Sequence, residues 1–334
     1  MITFIVNEAS GRGRGGKIWR ALRREMLEQE LPFRAWCTRS PGEATALAQL
    51  TCQDAQELQK LVVVGGDGTV NEVLNGISDF AQIALGVVPI GSGNDFVRGL
   101  GLPRDPRAAL ERVFAASGDA RIDLGQVCVD GQAPRRFGIS AGIGMDAWVC
   151  AQVDASRAKA GLNRFGLGSL SYGLMTLSAA WNIETARGSV QLTTPQGVLT
   201  RDLRALIFIA CMNFPWEGGG VPIAPGADAA DGCFSVCLAD DLSRAQVFRK
   251  LPLLALGHHT HTEGVSLVSV TRVEVQLDTP LFVHADGEVP GRARSAVFDV
   301  LPQKLRVLCV LHLKIVMLLE FLVRCARKNT RSVA

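Results

Sequence analysis

The first 120 residues alternate short apolar runs with stretches of helical period. Ile2–Val6, Phe33–Cys37 and residues 61–64 and 83–88 read as strands. Between them, residues 17–30 read as a helix, Ser40-Pro41-Gly42-Glu43 opens a second, and a third begins near Val70. Pro41 at a first helical position and Glu43 in the first turn are start signals. Strands alternating with helices at this spacing predict a parallel sheet with helices on its faces.

After about Asp123 the texture changes. Asp130-Gly131 between apolar runs signals a hairpin. Runs at 190–194, 205–211, 233–238 and 268–277 are strand-like and broken by Gly, Pro and Asp. They predict a mostly antiparallel, sandwich-like region, interrupted by helices at Met145–Lys159, 165–181 and 243–256. The expected division is an α/β domain over 1–124 and a β-rich domain over 125–300, with 301–334 packing back on the first. Residues 305–326 are apolar but carry Arg306, His312, Lys314, Glu320 and Arg324. Those interruptions argue against a bilayer span and for a packed or interfacial helix.

The chain has 334 residues, which suits two domains of the usual ~100–200 residues. It is 48% hydrophobic and 20% charged, enough for a sizeable core and unlike a disordered chain. A net charge of +3 is too small to point to nucleic acid. The nine cysteines form no C-x-x-C pair, which excludes a zinc ribbon and favours buried thiols in a reducing cytosol. The start of the chain has no charged region ahead of its apolar run, so a secretory signal is not expected.

Three glycine loops carry the candidate chemistry. The first, from Asn7 to Lys17, satisfies both G-x-G-x-x-G and G-x-x-x-x-G-K. Ile18 replaces the Ser or Thr of a P-loop, and no acid follows the second strand to hold a ribose. Lys17 is a candidate phosphate contact on this pattern. The second is Val64-Gly65-Gly66-Asp67-Gly68-Thr69-Val70-Asn71-Glu72. Bare glycines let N–H groups reach an anion at a helix start, and an acid among them calls for a cation. The third, Gly91-Ser92-Gly93-Asn94-Asp95-Phe96, repeats glycine turn, hydroxyl and acid. His258, His259 and His261 lack a ligand partner at metal spacing and read as a loop after a helix. Ser140 is outside G-x-S-x-G and has no evident His/Asp pair.

With these loops stand Arg121-Ile122-Asp123-Leu124-Gly125, Ser140-Ala141-Gly142-Ile143-Gly144-Met145-Asp146-Ala147 and His284-Ala285-Asp286-Gly287-Glu288. In this order the motifs resemble the diacylglycerol kinase catalytic-domain family, which includes bacterial soluble lipid kinases, sphingosine kinases and ceramide kinases. The resemblance runs from Asn7 to about Glu288. It implies a nucleotide-binding α/β domain related to NAD kinase and phosphofructokinase, a β-sandwich domain, and a cleft between them.

The resemblance also implies ATP on Asn7, Ser10, Gly11, Thr38, Gly65, Gly66, Asp67, Gly68, Thr69, Asn71 and Ser92, with Asn94 and Asp95 in the same third-loop motif. Asp67, Asp95 and Asp123 would share a water-and-Mg2+ network. A structural Mg2+ would lie near Asp228, Asp231 and Cys233, with Asp231 giving the carboxylate. Asn7-Glu8 stands where the family has Asn-Pro, and Ser92 stands for a Thr, keeping the hydroxyl.

Phosphoryl transfer needs positioning, charge neutralisation and a base near the hydroxyl. Asp286 and Glu288, two apart on an extended chain, are expected to face one side. Asp286 is favoured as the close contact, and Glu288 stays a candidate proton acceptor. The expected function is ATP-dependent phosphorylation of a lipid hydroxyl, diacylglycerol foremost. The alternatives are a soluble-acceptor kinase such as NAD kinase, or a non-catalytic nucleotide-binding regulator. The expected partners are ATP and a lipid at a membrane surface, not nucleic acid, with a homodimer left open. The expected location is the cytoplasm, including the inner membrane face.

Overall fold

The computed structural model describes residues 1–53, 57–116, 118–159 and 178–309. A first sheet holds β1 (Ile2–Val6), β2 (Phe33–Cys37), β3 (Gln59–Gly65), β4 (Ile83–Pro89), β5 (Gly118–Ile122) and β15 (Leu305–Cys309). Their order is β2-β1-β3-β4-β15-β5, parallel except where β5 runs against β15. The connecting helices are α1 (Arg14–Glu28), α2 (Glu43–Gln53), α3 (Asp67–Gly76), α4 (Asp95–Gly99) and α5 (Pro106–Ala115).

The unbroken apolar runs have a simple cause: the central strands are covered on both faces. Ile5, Leu61, Val63 and Leu85 point into one core with residues of α2 and α3. Phe4, Val6, Val62 and Val64 point into another with Trp19, Leu22 and Met26 of α1. The chain steps from β1 to β2 on one side, and β3 then lies on the other side of β1. The strand order therefore reverses between β1 and β3. Open α/β sheets bind ligands in the crevice that such a reversal leaves at the carboxyl ends.

The second sheet holds β6 (Gly125–Val129), β7 (Arg135–Phe137), β8 (Ser140–Gly144), β9 (Ala186–Thr194), β10 (Gly197–Met212), β11 (Phe234–Asp240), β12 (Val265–Val270), β13 (Arg272–Ala285) and β14 (Glu288–Val300). Every pairing in it is antiparallel. Strands β8 and β9 share one slot, each pairing with β10 on one side and β13 on the other. Among the described residues α6 (Met145–Lys159) and α7 (Arg244–Leu256) accompany this sheet. Ser243 and Gln246 close a reciprocal capping box at the start of α7.

Local pattern misplaced several boundaries. The first helix begins at Arg14 rather than 17, the second at Glu43 rather than at Pro41, and the third at Asp67 rather than 70. The run 268–277 is two strands, the end of β12 and the start of β13, broken at Thr271. Residues 305–309, expected to be helical, form β15 between β4 and β5. The expected helix beyond 309, and most of that at 165–181, lie outside the described residues; 178–181 are helical. No helix among the described residues is long and apolar enough to cross a membrane.

Candidate active site

The loops after β1, β3 and β4 meet at the carboxyl edge of the first sheet. Asn7 donates to the Thr69 hydroxyl at 3.0 Å, tying the first loop to the second. The second and third loops touch through bare backbone. A Cβ on Gly91 would lie 2.9 Å from the Gly66 Cα, so side chains cannot be added there without separating the loops. Asn94, at φ 52, turns its amide back to the Gly91 carbonyl at 2.9 Å and holds the third loop closed.

The N–H groups of the first loop are largely spent on the loop itself. Those of Gly13, Gly15 and Gly16 donate to the carbonyls of Ala9, Ser10 and Glu8. Gly15 and Gly16 are buried inside α1, and Lys17 is an exposed residue of that helix. The G-x-x-x-x-G-K spacing therefore leaves the N–H groups of Gly13, Gly15 and Gly16 unavailable as a phosphate cradle. Thr38, at the end of β2, is anchored by its N–H to the Val6 carbonyl at 2.8 Å. Ser10 and Gly11 stay on the first loop, and Ser92 is exposed on the third. By contrast α3 starts without a side-chain cap at Gly66, so its first turn presents N–H groups and the positive end of its dipole.

Asp67 sits in that first turn and caps the next element. Its carboxylate accepts from the N–H groups of Asp95 and Phe96, both at 3.1 Å. Burial lifts its pKa to about 6, and the charges of Asp95 and Asp286 add to the lift against those two hydrogen bonds. Asp95 pairs with Arg98 and accepts from the Gly219 N–H at 2.7 Å.

The acids of the second sheet differ from expectation. Asp286 (φ 51) and Gly287 (φ 86) form a tight two-residue hairpin turn between β13 and β14, with Ala285 opposite Glu288. The two acids are therefore not alternate residues of one extended strand. The Asp286 carboxylate accepts four hydrogen bonds, from Asn71 Nδ2 (2.9 Å) and the N–H groups of Gly138 (2.8 Å), Ile139 (2.7 Å) and Ser140 (3.1 Å). Burial raises its pKa, and these donors pull it back. Glu288 is half-exposed, 3.9 Å from Arg135, and its Oε1 would lie 3.3 Å from a Cβ on Gly68. It is thus the acid beside the second glycine loop.

The charges acting on Asp67 are Asp95 and Asp286, whereas Asp123 acts on Asp231 and Cys233. Asp123 is buried, bridged by Lys304 Nζ at 2.8 Å and by the Gly232 N–H at 2.7 Å. Lys304 also donates to the Ala230 carbonyl at 2.9 Å. Asp228 and Asp231 are exposed, and each turns one oxygen to a nearby N–H, of Ala230 and Cys233. The cation beside Asp123 in this fold is thus the Lys304 ammonium.

The match to known proteins covers both sheets. Residues 1–127 match the family model of the diacylglycerol kinase catalytic domain. Residues 139–309, half of the chain, match the model of the YegS C-terminal NAD kinase β-sandwich-like domain. The chain belongs to the diacylglycerol kinase catalytic-domain family. A Chromohalobacter salexigens protein named "Probable lipid kinase YegS-like" is 32% identical over 237 residues, 69% of this chain and 70% of that one. A Mycobacterium tuberculosis diacylglycerol kinase is 29% identical over 259 residues, 77% of this chain and 79% of that one. A crystal structure of a Bacillus anthracis diacylglycerol kinase shares the fold, with a TM-score of 0.64 at 18% identity, covering 93% of this chain and 97% of that one.

Sequence reasoning missed three parts of the site. Arg135 donates to Asn71 Oδ1 at 2.9 Å, and Arg136 reaches the carbonyls of Leu74 and Ile77 at the end of α3. The adjacent basic pair before Phe137 was the available signal. Glu217, ahead of Gly218-Gly219-Gly220, joins His284 and Asp146 in a buried cluster. Lys304 gave no signal, because its partner is far away in sequence.

Two outcomes follow for stability. Asp286→Asn puts an NH2 group against two of the four donors, so urea unfolding should show a loss of about 3 kcal/mol; an unchanged midpoint would refute the bridge. Asp67 carries a raised carboxyl, so its contribution is present below about pH 4 and is lost as pH rises towards 6. Asp67→Asn should remove roughly 3 kcal/mol of that pH-dependent change, leaving the shares of Asp286 and Glu217. An identical pH profile in the variant would contradict this.

Proposed function

We propose that the chain transfers the γ-phosphoryl group of ATP to a lipid hydroxyl, with diacylglycerol the first acceptor to test. The observation that carries the reading is Glu288 next to Gly68: a half-exposed carboxylate from one sheet beside the uncapped helix start of the other. The first turn of α3 would bind the phosphates, with Asn7, Thr69 and Asn94 holding the three loops in register. Glu288 would take the proton of the incoming hydroxyl. Its exposure suits a group that must reach a substrate. Asp286, with four donors already on its carboxylate, would position the turn rather than move the proton.

The residues present fit a magnesium ion at Asp67. The donors are hard carboxylate oxygens, and the charges of Asp95 and Asp286 that act on the buried Asp67 are ones a divalent cation would relieve. Asp67 would hold the ion, with Asp95 beside it. Magnesium bound there supplies charge neutralisation for the phosphates.

Exposed Trp181 and Leu256, close to Arg249 and Lys250 of α7, support peripheral contact with a membrane surface.

The test is phosphate transfer from labelled ATP to a lipid panel in mixed vesicles, beside soluble acceptors. A labelled lipid is expected with wild type, with losses of about 100-fold or more in Glu288→Ala and Asp67→Ala. Activity should also require Mg2+. Transfer to a soluble acceptor alone, or full activity in Glu288→Ala, would sink the proposal.

A further inference from the structure

His284 is fully buried two residues before the Asp286-Gly287 turn, and phosphoryl transfer as proposed does not use it directly. Its Nδ1 accepts from the Gly287 N–H at 3.3 Å. Its Nε2 lies 3.2 Å from Asp146 Oδ2 and 3.9 Å from Glu217 Oε1. Asp146 stands in the first turn of α6, and Glu217 on the loop that follows β10. The ring therefore links the turn to two other elements.

Such a trio of His, Asp and Glu is also a plausible set of metal ligands on distance alone. The tautomer argues otherwise. A ring nitrogen that accepts from an N–H carries no proton, so the proton of a neutral ring is on Nε2. Nε2 is the nitrogen that faces both carboxylates, and a cation among them would need the lone pair that Nε2 then lacks. Metal-bound histidines usually donate from their second nitrogen, and here that nitrogen faces a donor instead.

The surrounding charges favour a proton on the ring, and the Gly287 N–H aimed at Nδ1 decides which nitrogen is left bare. Burial pulls His284 towards the neutral form, and the charges of Glu217 and Asp146 pull it the other way, to about 9. Glu217, however, is itself raised by burial. The ring with its proton on Nε2 satisfies the Asp146 carboxylate and the Gly287 N–H together. One oxygen of Asp146 and one of Glu217 are buried without a hydrogen-bond partner. A doubly charged carboxylate pair would leave both exposed to that cost.

We infer that His284 is a positioning residue: its Nδ1 grips the Gly287 N–H while Asp146 fixes the ring, and so His284 sets where the Asp286-Gly287-Glu288 turn presents Glu288. This rests on the kinase reading for its consequence in catalysis, but not for its geometry. Gly287, at φ 86, is a residue whose backbone has many conformations open to it. Without an acceptor at its N–H, the turn loses a restraint adjacent to Glu288. Sub-ångström to 1 Å errors in the placement of a reacting group can cost about 100-fold in rate.

Two substitutions separate the roles of the two ring nitrogens. Asn at 284 can place its carbonyl oxygen near the position of Nδ1, whereas Gln reaches towards Asp146 and leaves Gly287 without its acceptor. In the lipid kinase assay, His284→Gln should lose about 10-fold or more in kcat with KM for ATP within about twofold, and His284→Asn should stay within about threefold of wild type. Equal losses in both, or a wild-type kcat in His284→Gln, would overturn the positioning role.

The second readout needs no activity. 15N NMR of histidine-labelled wild-type protein, with His284 assigned by its loss in the variants, should find Nδ1 bare and Nε2 protonated. A protonated Nδ1 would overturn the inference even if the enzyme is a lipid kinase. If wild type phosphorylates no lipid, the kinase reading fails, and the tautomer still decides the geometry. If neither variant folds, selective labelling of the wild type decides it alone, since His284 is the described histidine buried beside two carboxylates.

Discussion

Four donors converge on one carboxylate, and the relation between the two sheets depends on them. Asp286 accepts from Asn71 on α3 and from three successive N–H groups at 138–140. Asn71 is fully buried and also reaches the Arg136 carbonyl, while its own oxygen takes Arg135. A buried carboxylate is tolerated only when so satisfied, and its removal leaves donors unpaired in a dry place. The helix that starts at the second glycine loop is thus fastened directly to the hairpin that carries Glu288.

That fastening explains how the two halves can share one site. The first sheet offers a reversal of strand order, three loops at its carboxyl edge and an uncapped helix start. The second sheet contributes a single tight turn. Lys304 gives a further link, joining the segment before β15 to Asp123 and to the Ala230 carbonyl of the second half. Strand β15 itself inserts between β4 and β5, so the described end of the chain completes the sheet on which it began.

Much of the fold was legible because the parallel strands are covered on both faces and so read as continuous apolar runs. The alternation of strand and helix up to the end of β4 and the extent of α6 followed from periodicity. What local pattern could not see were contacts made over long separations and backbone with positive φ. Leu305–Cys309 looks like part of a helix until β4 and β5 are beside it. The Asp286-Gly287 turn breaks the alternation on which the facing of Asp286 and Glu288 was argued. Lys17 satisfied a spacing whose backbone donors turn out to serve the loop's own carbonyls. Asp67 and Asp286 were legible as chemistry, since an acid between glycines needs a reason. Asp146 and His284 lay in recognised motifs without a role, and Glu217 joined them only in three dimensions.

The central claim is that a triphosphate lies on the first turn of α3 and faces Glu288. A crystal structure with a non-hydrolysable ATP analogue and Mg2+ tests it most directly. The account predicts phosphate density against residues 66–69, with the terminal phosphate turned towards Glu288 and a metal at Asp67. Nucleotide density elsewhere, with that turn empty, would contradict it.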